Sequence, residues 1–300
     1  MKKATVYNAD YLFQEETMEF EVPVEIHVSR FYNHERIVEP GRYDLPFNDP
    51  NAFKVYMNMT EPENSPNREF IPSVILNADQ YDLILTTDVD ILQHCGNAVM
   101  FPYGSTWLNK TKINHPDGLG FYDESLNELH TEKKFEISFL CSFHNRNIEG
   151  YNRRKELWFH QNKITTPKRF YSSSRYLILD NKLPDDDKKH LFKSQFHIAI
   201  ESCKVENYFS EKLIDALITK TIPIYWGCPN IGDFFDERGM FIIDSKNSVF
   251  DLCNNLNEET YNNKLKYVEE NFERAKEYAR PLCERVKEEI SKAVLDRHKT

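Results

Sequence analysis

The sequence predicts an α/β protein of two domains, the later one built on a parallel sheet. Three observations carry this expectation. From about residue 135 onward, short β-branched and aromatic runs alternate with helix-length segments, the rhythm of βαβ units. A chain of 300 residues exceeds one ordinary core and suits two domains of roughly 100–200 residues each. Hydrophobic residues make up 40% of the chain and aromatics 13%, which is enough apolar surface for packed cores.

Taken in order, "FEVPVEIHVS" and "VILNADQYDLILTTD" read as strands. The segments "LPFNDPN", "EPENSPN" and "NHPDG" read as loops. Polar Tyr122–Lys134 is expected to be a linker, which divides the chain into domains 1–130 and 131–300. Beyond it, "FEISFLCSF", "RFYSS", "FHIAIES", "IPIYWG" and "MFIIDS" are expected strands. "NRRKELWFHQNK", "DDDKKHLFKSQ", "SEKLIDALITK" and "VFDLCNNL" are expected helices. The last forty-odd residues read as one or two long helices, interrupted near Pro281. The expected architecture is therefore two facing α/β domains with a long C-terminal helical segment.

The balance of 38 basic and 48 acidic residues, a net −10, argues against a nucleic-acid partner, which needs a basic footprint. It leaves room for an anionic small ligand held by a few local cations. The N-terminus has no apolar signal region, and no run reaches the roughly 18–20 apolar residues of a membrane span. The six scattered cysteines read as reduced thiols, so a cytoplasmic protein is expected.

One stretch draws the functional question, "YFSEKLIDALITKTIPIYWGCPNI", Tyr208–Ile231. Ser210 is a natural N-cap, followed by an apolar helical face at Leu213, Ile214, Leu217 and Ile218. Glu211 in the first turn suits the positive end of the helix dipole, whereas Lys212 opposes it. An anion bound at the helix mouth would reverse that cost, because amides and an ammonium would converge on it. In open parallel sheets ligands sit at the carboxyl ends of strands, and "FHIAIES" ends just before this loop. The plainer alternative is a solvated Lys212 and a Glu211 that only complements the dipole.

The segment Phe196–Phe235 resembles the signature of family 10 glycosyltransferases, the α-1,3/α-1,4-fucosyltransferases, whose pattern runs F-E-N-S, Y-[VI]-T-E-K, then T-[IV]-P-[IV]-Y-W-G-x-P. Weaker echoes are "FEISFLCSFHN" followed by Arg154, "RFYSSSR", and "TEPENSPN". This chain departs from the pattern at Cys203, where "IESC" replaces F-E-N-S, and in "SSSR", which lacks the family's glycines. The resemblance implies a GT-B fold of two facing Rossmann-like domains. The N-terminal one would bind the acceptor and the C-terminal one GDP-fucose, with fucose transferred to a glycan hydroxyl with inversion. An α-1,3 linkage to a GlcNAc- or Glc-containing oligosaccharide is the implied product. No cofactor is implied as required, while stimulation by Mn2+ or Mg2+ stays open.

The donor residues implied are Arg175 and Lys212 as phosphate cations and Glu211 as acceptor from ribose hydroxyls. Tyr208 would lie against guanine, Glu201 is a buried carboxylate at a strand end, and Asn145 and Arg154 match more loosely. The general base is expected from the other domain, at Glu61 or Glu63. "TTDVD", Thr86–Asp90, mimics a metal-binding D-x-D but also fits the end of an acceptor-domain strand. His197 reads as a core histidine. Two alternatives remain, a GT-B transferase using another nucleotide sugar and a catalytically silent glycan- or nucleotide-binding module.

Overall fold

Alternating apolar residues in the first hundred positions become parallel strands. The computed structural model describes residues 1–7, 18–28, 37–39, 42–43, 47–58, 65–102, 104–109, 119–143, 147–173, 181–244 and 248–297. They form two compact units. The first comprises Met1–Tyr103, Thr111–Leu119 and Pro281–Thr300, the second Gly104–Lys110 and Gly120–Arg280.

In the first unit, β1 (Thr5–Tyr7), β2 (Val24–Val28), β3 (Phe53–Met57), β4 (Leu83–Thr86) and β5 (Ala98–Met100) pair in that order, all parallel. Helices α1 (Ser65–Leu76) and α2 (Val89–His94) connect the later strands. In a sheet ordered as the sequence, same-handed crossovers place their helices on one face. Accordingly Val74 and Ile91 pack with Tyr56, Tyr81 and Ile84. The opposite face, Val24, Ile26, Val28, Val55, Met57, Leu83 and Leu85, is covered by Leu282, Val286 and Ile290 of α7 (Leu282–Arg297). Arg285 Nη2 donates to Pro102 O at 2.6 Å, and Arg297 pairs with Asp82 at 3.0 Å.

This corrects the expected division at residue 130. The last helix belongs to the first unit, because that sheet face would otherwise be bare. Leu126 and Leu129 of the expected linker are buried in the core of the second unit, within a 3-10 turn, Glu124–His130. The break after α6 (Glu258–Tyr278), near Pro281, is where the chain changes units. Part of "VILNADQYDLILTTD" also differs from expectation, since its first residues end α1 and only Leu83–Thr86 is strand.

In the second unit the strands are β6 (Lys134–Cys141), β7 (Lys168–Ser172), β8 (Ser194–Ile200), β9 (Ile222–Trp226) and β10 (Phe241–Ile242). Their parallel order is β7-β6-β8-β9-β10. Direction reverses between β6 and β8. Helix α3 (Glu149–Phe159) therefore packs through Leu157 and Trp158 on one face, with Ile198, Ile200 and Trp226. Helix α4 (Glu211–Ile218) packs through Leu213, Ile214 and Leu217 on the other, with Ala199 and Tyr225. Helix α5 (Val249–Asn254) follows β10. The charged run before β8, expected as a helix, is two short 3-10 turns, Pro184–Asp186 and Lys188–Lys193. Among the described residues no helix is long and apolar enough to cross a membrane, and all six cysteines are free thiols.

Two predictions follow from this packing. Ile290→Ala should destabilise the first unit by about 2–5 kcal/mol, the cost of an aliphatic core truncation. In chemical denaturation its transition should move while that of the second unit stays in place; a shift of the second transition alone would contradict the assignment of α7. The second prediction concerns acid. His27 is stacked on Phe47 with its Nδ1 3.1 Å from Tyr81 Oη, and burial lowers its pKa to about 4. His197 lies 2.8 Å from Ser138 Oγ, and burial lowers its pKa to about 3. Unfolded histidines bind protons below pH ~6.5. Stability should thus fall as the pH drops from ~6.5 toward 4, by on the order of 3 kcal/mol per histidine. His197→Asn should flatten this acid limb in pH-dependent unfolding, and an unchanged limb would count against it.

Candidate functional site

A parallel sheet whose strand order reverses opens a crevice at the carboxyl ends of the two strands flanking the reversal. Here those strands are β6 and β8. The loops leaving them lead to α3 and α4, on opposite faces of the sheet. The site residues expected from sequence on the second of these loops, Glu201, Tyr208, Glu211 and Lys212, converge at this edge.

Close backbone approach fixes the crevice. Gly150 N, in the first turn of α3, donates to Ser202 O at 2.9 Å. A Cβ there would lie 1.8 Å from Glu201 O, so only glycine lets α3 start against the end of β8. Gly227 ends β9 for a similar reason, since its Cβ would fall 2.5 Å from Glu201 Cγ and from Tyr225 Oη.

Glu201 is fully buried, and its carboxylate organises the loop. Oε1 accepts from Ser210 N at 2.9 Å and Oε2 from Ser210 Oγ at 2.6 Å. Ser210 caps α4 as expected, its Oγ accepting from Lys212 N. Lys212 Nζ donates to Ser210 Oγ and to Glu211 Oε1, each at 3.1 Å, and stands 3.7 Å from Glu201 Oε2. The lysine thus bridges both carboxylates across the helix mouth and stays about one-fifth exposed. Burial raises the Glu201 pKa, and Lys212 offsets part of that rise. Burial also acts to raise that of Glu211, but Lys212 and Lys188 together outweigh it and hold the group at about 2. Glu211 is therefore an ionised acceptor at neutral pH.

Tyr208 is buried, its hydroxyl 3.4 Å from Ser202 Oγ, so its ring is packed into the loop. Arg154 on α3 is also buried, at 5% exposure, stacked over Tyr151 at 4.4 Å. Its Nε and Nη2 find no hydrogen-bond acceptor among the described residues, an arrangement that suits an anion near the ends of β6 and β8. Asn145, Arg175, Glu61 and Glu63 lie outside the described residues.

Tyr225 and Trp226 are buried packing residues, as is His197. In "TTDVD", Asp88 caps α2 by accepting from Ile91 N at 3.1 Å. No group of three or more His, Cys, Asp or Glu side chains forms a metal-binding cluster among the described residues.

Sequence reading missed two groups. Asp215, one turn after Glu211, is buried and accepts from Thr106 Oγ1 at 2.5 Å and Trp107 N at 2.9 Å. Lys188, in the 3-10 turn before β8, lies 4.0 Å from Glu211 Oε1 and 3.7 Å from Asp215 Oδ2. An acid in the apolar run of "EKLIDALI" was the available signal. Asn207 and Asn230 also clamp the loop by paired hydrogen bonds of 2.8 and 2.9 Å.

No protein-family model matches the chain. Over 62 residues it is 39% identical to alpha-(1,3)-fucosyltransferase FucT of Helicobacter pylori. The match covers 20% of this chain and spans 13% of the length of that curated relative. Solved structures with likeness include an alpha1,3-fucosyltransferase with GDP, with a TM-score of 0.48 and 19% identity over 84% of this chain and 77% of that one. A second is an alpha1,3-fucosyltransferase with GDP-fucose, with a TM-score of 0.47 and 21% identity over 82% and 69%. In local sequence, this chain is similar to an α-1,3-fucosyltransferase.

Proposed function

We propose that this chain is an inverting fucosyltransferase that moves fucose from GDP-fucose to a hydroxyl of a glycan acceptor. The observation that carries the reading is the ammonium of Lys212 at the capped mouth of α4, beside the crevice where a 2-1-3-4-5 sheet reverses. The 62-residue match to an α-1,3-fucosyltransferase supports the same chemistry.

Breaking the fucose C1–O bond leaves the electron pair, and negative charge, on the GDP phosphate, while the sugar becomes oxocarbenium-like. The acceptor oxygen then bonds to C1 from the opposite face and loses its proton to a base. Lys212 and Arg175, aided by the positive end of the α4 dipole, would meet the leaving-group charge, with Arg154 as a further cation. Glu211, ionised and next to Lys212, would accept from the ribose hydroxyls. Tyr208 and Glu201 would act by holding the loop that presents Ser210 and Lys212. Asn145 completes the donor side on the resemblance alone. Glu61 or Glu63 would take the acceptor proton, Glu61 being the preferred one.

The direct test is incubation with GDP-fucose and a panel of galactose and N-acetylglucosamine acceptors, read by mass spectrometry. A mass increase of one fucose is expected. A protein that binds GDP-fucose yet neither hydrolyses nor transfers it would be a binding module instead. Preference for UDP or ADP over GDP in competition binding would point to another donor. Lys212→Ala should weaken GDP binding and lower kcat, roughly 10- to 100-fold combined for loss of a charge-assisted contact; unchanged kinetics would remove it from the site. Glu61→Gln should lower kcat far more than it raises the donor KM. If Glu63→Gln behaves that way instead, the base is Glu63.

A further inference from the structure

Besides Lys212, a second ammonium reaches the helix mouth. Lys188 begins the 3-10 turn before β8, and its side chain is 15% exposed. It lies over the Trp107 ring at 4.4 Å, between Glu211 Oε1 at 4.0 Å and Asp215 Oδ2 at 3.7 Å. We propose that Lys188 is a positioning residue of the donor site, setting the charge and orientation of Glu211 for the nucleotide and leaving Lys212 for its phosphates. This inference rests on the donor reading above.

Glu211 and Asp215 stand four residues apart on α4, so two like charges share one buried helix face. Asp215 Oδ1 is saturated by Thr106 and Trp107, while Oδ2 accepts no hydrogen bond among the described residues and faces Lys188. Among the described residues, the charged groups around Glu211 are Lys212 and Asp215 on its own helix, Glu201 at the end of β8, and Lys188. Were Lys188 absent, Lys212 would be the sole cation among the described residues serving Glu201 and Glu211 together. The ammonium that a diphosphate needs would then be held more tightly by carboxylates. With Lys188 present, Glu211 is shared between two cations.

A purely structural role would run through Asp215, because an ion pair broken in a buried place leaves an uncompensated charge. Asp215→Asn removes that charge at constant shape, so it separates the two roles. GDP would be titrated calorimetrically into the full chain between pH 5.5 and 8, with thermal unfolding in parallel. The proteins are wild type, Lys188→Met, Lys188→Arg, and Lys188→Met combined with Asp215→Asn.

Lys188→Met should raise the GDP Kd about 5- to 20-fold at pH 7. The loss should deepen as the pH falls, because a Glu211 with one cation fewer takes up a proton at higher pH. Lys188→Arg should stay within about threefold of wild type. The double variant should regain thermal stability relative to Lys188→Met yet keep the weakened, pH-dependent affinity. Recovery of wild-type affinity in the double variant would overturn the inference and leave Lys188 as a counter-charge for Asp215. So would a Lys188→Met protein with wild-type affinity and pH profile. Wild type that fails to bind GDP would instead defeat the donor reading itself.

Discussion

The candidate site depends on the buried carboxylate of Glu201. It ends β8 inside the protein, where an ionised group without partners is unaffordable. Both of its oxygens are satisfied by one residue, Ser210, through the backbone N–H and the hydroxyl. That double contact closes the loop between β8 and α4, residues 201–210, and sets the position at which α4 begins. The same Ser210 hydroxyl then serves as helix cap and as a contact for Lys212. One carboxylate therefore fixes strand end, loop, helix start and cation together. The need for glycine at 150 and 227 follows, since both backbones approach Glu201 too closely for a Cβ.

How much of this was legible depends on the range of the interaction that decides each element. The Ser210 cap and the α4 face are local, set by residues within two turns, and both were readable. So was the strand and helix rhythm of the second unit. The home of α7 was not readable. Its amphipathic face is compatible with any apolar partner, and what assigns it is a bare sheet face more than 180 residues earlier in the chain. The charged 3-10 turns before β8 differ from the expected helix because charge-rich sequence fits a solvated helix equally well. Lys188 belongs to that stretch, and only the fold brings it to the mouth of α4.

The same distinction separates "TTDVD" from the α4 mouth. Both show charged residues at a strand-to-helix junction. Asp88 caps α2, a local demand that accounts for an acid at that position. At α4 the cap is Ser210, which leaves Lys212 and the buried Asp215 unexplained by helix chemistry. Charged residues in excess of what the local structure needs are the better marker of a site.

The charge balance at that mouth also bears on catalysis. Among the described residues, three carboxylates, Glu201, Glu211 and Asp215, face two ammonium groups, Lys188 and Lys212. Burial raises Glu201 and takes Asp215 up to about 6, while Glu211 is held at about 2. On the donor reading proposed above, these five groups would not attract a diphosphate by net charge. Attraction would come from direction: the dipole at the start of α4, and an ammonium whose carboxylate partners hold it in place before the nucleotide arrives. Under that proposal such a lysine would be ordered in advance, so its contact would strengthen as charge builds on the leaving phosphate rather than on binding the ground state.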